Sequence, residues 1–140
     1  MFTSSNTSDA YTRVGVETGV VEASPHKLIL MLYDGAIVAL AAAARQMEDK
    51  DIPAKGLSLS KAIEIIDNGL CACLDMQSGG EIAERLESLY EYMTARLLHA
   101  NLHNDLAAIR EVSSLLGELR SAWEEIAADP AVVSANRAAT

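Results

Sequence analysis

Apolar residues recur along this chain at helical spacing, in four blocks separated by short polar breaks. The first block is the most apolar, since from Leu28 to Ala44 the single charged side chain is Asp34. Ser24-Pro25 opens it, with Ser24 able to cap free N–H groups and Pro25 at a position where no N–H is missed. The spacing predicts a helix over 25–48 with an inner seam of Leu28, Leu32, Gly35, Ala39, Ala42 and Gln46. Ile29, Met31, Ile37, Val38 and Leu40 fall outside that seam as apolar excess. A surface helix carries one apolar stripe, so a helix apolar nearly all round needs cover on several sides.

Asp49-Lys50-Asp51 with Pro53 marks a short connection. A second helix carries Leu59, Ile63, Ile66, Leu70 and Cys73 at 4-3-4-3 spacing, widened by Ile65 and Leu74, and is expected to end near Met76-Gln77. Ser78-Gly79-Gly80-Glu81 reads as a turn whose Ser and Glu form a capping box. The third helix then points Ile82, Leu86, Leu89, Met93 and Leu97 inward, with Glu84, Arg85, Glu87 and Glu91 on its wetter side. Asn101 to Asp105 is the next turn, with Asn104 as a cap and Asp105 placed for the helix dipole. The fourth helix carries Ile109, Val112, Leu116, Leu119, Trp123 and Ile126, and Asp129-Pro130 stops it.

Short connections make neighbouring helices antiparallel, so the pattern predicts an all-α fold, an antiparallel up-down four-helix bundle. The bundle is assigned to residues 25–129. Residues 1–24, rich in Ser and Thr and then interrupted by Gly15 and Gly19, are expected to form a flexible N-terminal arm. Residues 130–140 have too little hydrophobic area to fold alone and are expected to be a flexible C-terminal tail.

Composition sharpens this reading. Only 4% of the residues are aromatic and strand formers are scattered, which leaves little material for a sheet. The formal charge of −9 repels phosphate backbones and anionic headgroups, which argues against nucleic-acid or membrane-surface binding. A membrane span over 28–44 would sit at the short end of the required length of about 17–25 residues. It would also bury Asp34 at a cost of roughly 2.5–3.5 kcal/mol, so membrane insertion is not expected. The first ten residues, polar with one charge at Asp9, do not resemble a signal peptide, and a cytoplasmic location is expected.

Candidate chemistry is sparse. Cys71 and Cys73 point roughly 200° apart on a helix and read as small buried hydrophobes in a reducing compartment. His26, His99 and His103 lack the Glu three residues upstream that di-iron bundles use. His99 and His103 stand four apart but straddle a predicted helix end without further ligands, so no metal or cofactor is expected. Asp34 has no identifiable acid, base or metal partner for catalysis and reads as a surface or paired carboxylate. Tyr33, Tyr90 and Tyr92 read first as structural aromatics and second as lining for a binding groove. Enzymatic activity is therefore not expected, and the apolar excess becomes the main clue to function.

Several motifs in register resemble one family. They are Val14-Gly15-Val16-Glu17, Ala23-Ser24-Pro25-His26-Lys27-Leu28 and Met31-Leu32-Tyr33-Asp34-Gly35-Ala36, then Asp51-Ile52 with Lys55-Gly56. Leu59 to Ile63, Ile65 to Leu70, Asp75-Met76, Gly79 to Ala83, Leu89 to Met93, Ala100 to Leu102, Asn104-Asp105, Glu111-Val112 and Ala122-Trp123 continue the match over about residues 11–127. Together they are similar to the flagellin export chaperones, the FliS family. The resemblance implies a cytoplasmic helical bundle without enzymatic activity that binds the C-terminal segment of flagellin. It implies that the bundle prevents premature polymerisation and delivers the subunit to the export gate component FlhA. It also implies that the arm, with a tyrosine matching Tyr11, lies over part of the apolar groove. Arg85 stands where the family often has Asn, and the link from Glu17 to Ser24 is longer than in compact members.

The partner-binding residues expected from these readings are Tyr11 and Val14 on the arm, with Ile63, Ile66, Leu70, Leu74, Leu89 and Met93 on the second and third helices. Plain bundle core is the competing reading for each of the helical six. Two further functions stay open: a metalloprotein, which metal analysis would decide, and a regulator sequestering an anti-sigma factor. Self-association into a homodimer through the arm is also open.

Overall fold

The computed structural model describes residues 24–127, and among them every regular element is helical. Helix α1 spans Pro25–Glu48 and α2 spans Ile52–Glu64. The α2 rod continues through a π-helical turn, Ile65–Leu70, and a 3-10 turn, Cys71–Cys73. Helix α3 is Gly80–His103 and α4 is Leu106–Ala127. The expected arm and tail lie outside the described residues.

Cross-links between named residues fix the topology. The side chains of Gln46 and Ser58 are hydrogen-bonded at 2.6 Å, so the end of α1 lies beside the start of α2. Lys55 Nζ donates to Asn101 O and Asn104 Oδ1, joining the start of α2 to the end of α3. Arg120 pairs with Asp34, and Trp123 Nε1 donates to His26 O at 3.0 Å, so α4 descends along α1. Each helix is antiparallel to its two neighbours, which makes an up-down-up-down four-helix bundle.

Helix α1 begins where the Ser24-Pro25 signal placed it. Ser24 Oγ accepts from the Lys27 N–H at 3.2 Å, and Pro25 opens the first turn. Its buried face is wider than the predicted seam. Leu28, Leu32 and Ala39 are buried as expected, but so are Tyr33, Ala36, Leu40, Ala43 and Met47, while Gly35, Ala42 and Gln46 are half-buried. The reason is that α1 packs along both α2 and α4, so one seam cannot describe it. Helix α1 is long and apolar enough to cross a membrane by length and composition. In the fold Leu32, Tyr33, Ala36, Ala39, Leu40, Ala43 and Met47 form the shared core with Leu59, Ile66, Met93, Leu97, Ile109, Val112 and Leu116, while Val38 stays exposed.

Two local expectations differ from the structure. The second helical rod ends at Cys73, short of Met76-Gln77, and widens into a π turn before it ends. Within that turn a Cβ on Gly69 would come within 2.8 Å of Leu32 Cδ2, so the absent side chain lets the rod close onto α1. The Ser78–Glu81 capping box does not form. Asp75 Oδ1 instead accepts the N–H groups of Gln77 and Ser78, at 3.1 and 3.0 Å, in an Asx-type turn. Glu81 pairs with Arg85, and the capping position belongs to Gly79, whose Cβ would meet Asp75 O at 2.6 Å.

At the opposite end, Asn104 is the left-handed C-cap of α3 (φ 50°) rather than the cap of α4. Asp105 takes the latter role, its Oδ1 accepting from the Ala108 N–H at 3.3 Å. Arg96 bridges α3 to Glu111 of α4 at 2.9 Å, and Tyr92 donates to the same carboxylate at 2.5 Å. Those two contacts hold the Glu111 carboxyl below its usual range.

Candidate functional site

The main cleft opens where four helix ends meet, with a volume of about 410 Å³. The start of α1 contributes Pro25, His26, Ile29 and Tyr33, and the end of the second rod contributes Leu70, Cys73, Leu74 and Asp75. The start of α3 adds Gly79, Ile82, Ala83, Leu86 and Tyr90, and the end of α4 adds Trp123 and Ile126. Up-down topology explains the convergence. Ser24 and Ala127, the first and last described residues, both stand at this end.

The floor is rigid and aromatic. Tyr33 and Tyr90, each almost fully buried, join hydroxyls at 2.6 Å and so tie α1 to α3. Burial raises both phenol pKa values. The His26 ring stacks on the Trp123 indole with centroids 4.4 Å apart and planes 9° from parallel. The Trp123 N–H is held by the His26 carbonyl, which fixes that stack. His26 itself is buried at 7% exposure, and burial lowers its pKa, with a hydrogen bond to the Trp123 backbone opposing.

The rim is apolar and wet. Ile82 is 71% exposed and Ile126 44% exposed, with Met76, also exposed, in the turn nearby. Isoleucine at such exposure on a cleft edge is surface the bundle does not use for its own core. Among the described residues no group of three or more His, Cys, Asp or Glu side chains is arranged to hold a metal. His99 Nε2 donates to the Asp105 carboxylate at 3.1 Å, and the ring meets that of His103 at 4.6 Å, at the far end of the bundle. Asp34 is paired with Arg120, one of the two roles its sequence context suggested. Cys71 and Cys73 are half-buried thiols, and burial with neighbouring Glu87, Asp67 and Glu91 pushes the Cys71 thiol up, away from reactive thiolate.

Of the partner-binding residues expected from sequence, Leu70 and Leu74 line this cleft. Ile63 and Leu89 are half-buried against the core, while Ile66 and Met93 are fully buried within it. Tyr11 and Val14 lie outside the described residues. Sequence reasoning missed His26, Trp123, Ile82 and Ile126 as cleft residues. The seams point Ile82 and Ile126 inward, but both stand in terminal helical turns, exposed at the cleft edge.

The family profile described as "Flagellar protein FliS" matches residues 7–130. The chain belongs to the FliS family. It is 55% identical over 126 residues to the flagellar secretion chaperone FliS of Salmonella typhimurium (strain LT2), covering 90% of this chain and 93% of the relative. It is 44% identical to the Escherichia coli K12 FliS, with the same coverage. Identity to the Bacillus subtilis FliS is 32% over 86% of this chain and 85% of the relative. As a FliS-family protein the chain is a flagellar export chaperone, which implies a protein partner in flagellar export.

Proposed function

We propose that the chain binds the C-terminal segment of flagellin in the cytoplasm, keeps it from polymerising early, and presents it to the export gate component FlhA. The apolar cleft at the Ser24 end carries this reading. It offers about 410 Å³ to the side chains of an amphipathic helix or extended segment, and its rim is apolar. FliS-family membership supplies the export context. We read the protein as a binding module without enzymatic activity or membrane insertion. We assign Tyr11 and Val14 of the arm to the same partner-binding role.

Leu70 and Leu74 belong to this binding surface together with Ile29, Ile82, Leu86 and Ile126. Ile63 and Leu89 would join a second stretch of contact along α2 and α3, whereas Ile66 and Met93 act from beneath by setting the position of those helices. Calorimetry with the cognate flagellin C-terminal segment tests the assignment. Binding at micromolar concentrations or tighter is expected, and its absence rejects the flagellin reading.

A further inference from the structure

Among the residues that line the cleft, Asp75 alone carries a formal charge. Its place is set by the turn that leads into α3. Asp75 Oδ1 accepts the Gln77 and Ser78 N–H groups, and the Asp75 carbonyl accepts from the Gly79 N–H at 2.8 Å. The Ser78 and Gln77 donors also hold the carboxyl below its usual range, so it is ionised at neutral pH. Among the described residues no Lys, Arg or His forms an ion pair with it. Two cations at this end of the bundle are already taken, Arg85 by Glu81 and Arg120 by Asp34 and Glu124.

The turn explains the oxygen at this position but not the charge, because an Asn side chain offers the same acceptor to the same N–H groups. In the free chain Asp75 is exposed and water solvates the carboxylate. A segment that fills the cleft displaces that water. A carboxylate covered by apolar surface costs free energy unless an opposite charge or donor meets it. That cost falls on a segment that brings an acid or only apolar side chains to this edge, and it is lifted for one that brings a cation. The surroundings suit a long basic side chain. Leu74 in the cleft wall and Met76, 40% exposed, flank Asp75 and offer apolar surface to an aliphatic stem whose charged head reaches the carboxylate.

We propose that Asp75 is a specificity determinant of the cleft: it pairs with a Lys or Arg side chain that the bound segment carries beside its apolar anchors. The proposal rests on the reading that a flagellin segment occupies the cleft. It adds a selection rule that apolar surface alone does not supply, since complementary charge fixes register and suppresses wrong partners more than it adds raw affinity. The cleft then accepts a basic amphipathic segment and discriminates against an acidic one of the same apolar shape.

The test uses the full chain and the cognate flagellin C-terminal peptide, acetylated at its N-terminus, in calorimetric titrations at low and high salt. Asp75→Asn keeps the acceptor of the turn and removes the charge. About a three- to tenfold weaker affinity is expected at low salt, with the difference closing as salt screens the pair. Glu48→Gln removes one charge from an exposed site at the opposite end of the bundle and is expected to bind like the unmodified chain. Replacing each Lys and Arg of the peptide by Gln in turn should reveal one position that costs a similar factor against the unmodified chain and nothing against Asp75→Asn. Urea unfolding checks the fold of the variant, and the peptide series on the unmodified chain decides the matter without it. Equal or tighter binding by Asp75→Asn, an equal loss in Glu48→Gln, or a peptide series in which no basic position matters overturns the inference while leaving flagellin binding intact. Absence of binding to the unmodified chain removes the proposed function, and this inference with it.

Discussion

The Tyr33–Tyr90 contact gives a sharp stability experiment because both hydroxyls are buried and each is the other's partner at 2.6 Å. The residues are 3% and 2% exposed, so solvent cannot take over a bond that is removed. Tyr33→Phe deletes one hydroxyl and strands the other on Tyr90. The expected cost is about 1–3 kcal/mol, mostly the desolvation of the stranded group rather than the net worth of the bond. Tyr90→Phe strands Tyr33 in the same way and should cost a similar amount. The double variant removes both polar atoms and leaves two rings of unchanged shape. It should therefore cost less than the sum of the singles by about 1–2 kcal/mol. Urea unfolding followed by far-UV circular dichroism measures all four proteins, with unchanged m-values as the check that the unfolded state is the same. Strictly additive losses would refute the reasoning, since they would mean that water or another group already serves each hydroxyl. The same burial predicts alkaline loss of stability. Both phenols have raised pKa values in the fold, so their contribution is intact below the unfolded value of 10.0 and is lost as pH climbs above it.

Three further outcomes are expected. His26 has a lowered pKa in the fold, so its contribution is intact above the ordinary imidazole value of 6.5 and declines as pH falls below it; subtracting the same melting series for His26→Gln should flatten that part of the pH profile. Arg120→Met breaks the pair with Asp34, which is half-exposed, so the loss should stay below about 1 kcal/mol and shrink in high salt. Gly79→Ala forces a Cβ against Asp75 O and Ala83 Cβ, and overpacking a turn this close should cost about 1–3 kcal/mol, read as a lower melting temperature.

Local capping signals and helical periodicity were enough to place α1, because Ser24, Pro25 and the Asp49–Asp51 break act within one turn of the residues they end. Antiparallel order followed from short connections for the same local reason. The burial pattern of α1 was less legible, because Leu40, Ala36 and Ala43 are covered by a second neighbour that no single seam can encode. The end of α2 was illegible for a tertiary reason. Its 4-3-4-3 spacing is compatible with a plain α-helix, and only packing of Gly69 on Leu32 reveals the π turn. Capping at Ser78 failed because a competing local acceptor, Asp75, reaches the same stretch of backbone first. The cleft was half legible. Leu70 and Leu74 could be named from apolar spacing, but His26 and Trp123 are 97 residues apart and meet only once α4 returns along α1.

The claim that the Ser24-end cleft seats the partner is open to a direct comparison of two exposed positions. Ile82 lies on the cleft rim at 71% exposure, and Leu102 lies at the opposite end of α3 at 79% exposure. Both can accept a charge without disturbing the core, so each variant should fold. Titrating the cognate flagellin C-terminal segment into Ile82→Asp should show affinity at least about tenfold weaker, since an unpaired carboxylate would face apolar side chains. Leu102→Asp should bind like the unmodified chain. Undiminished binding by Ile82→Asp, with loss in Leu102→Asp, would place the partner elsewhere and contradict the assignment of this cleft.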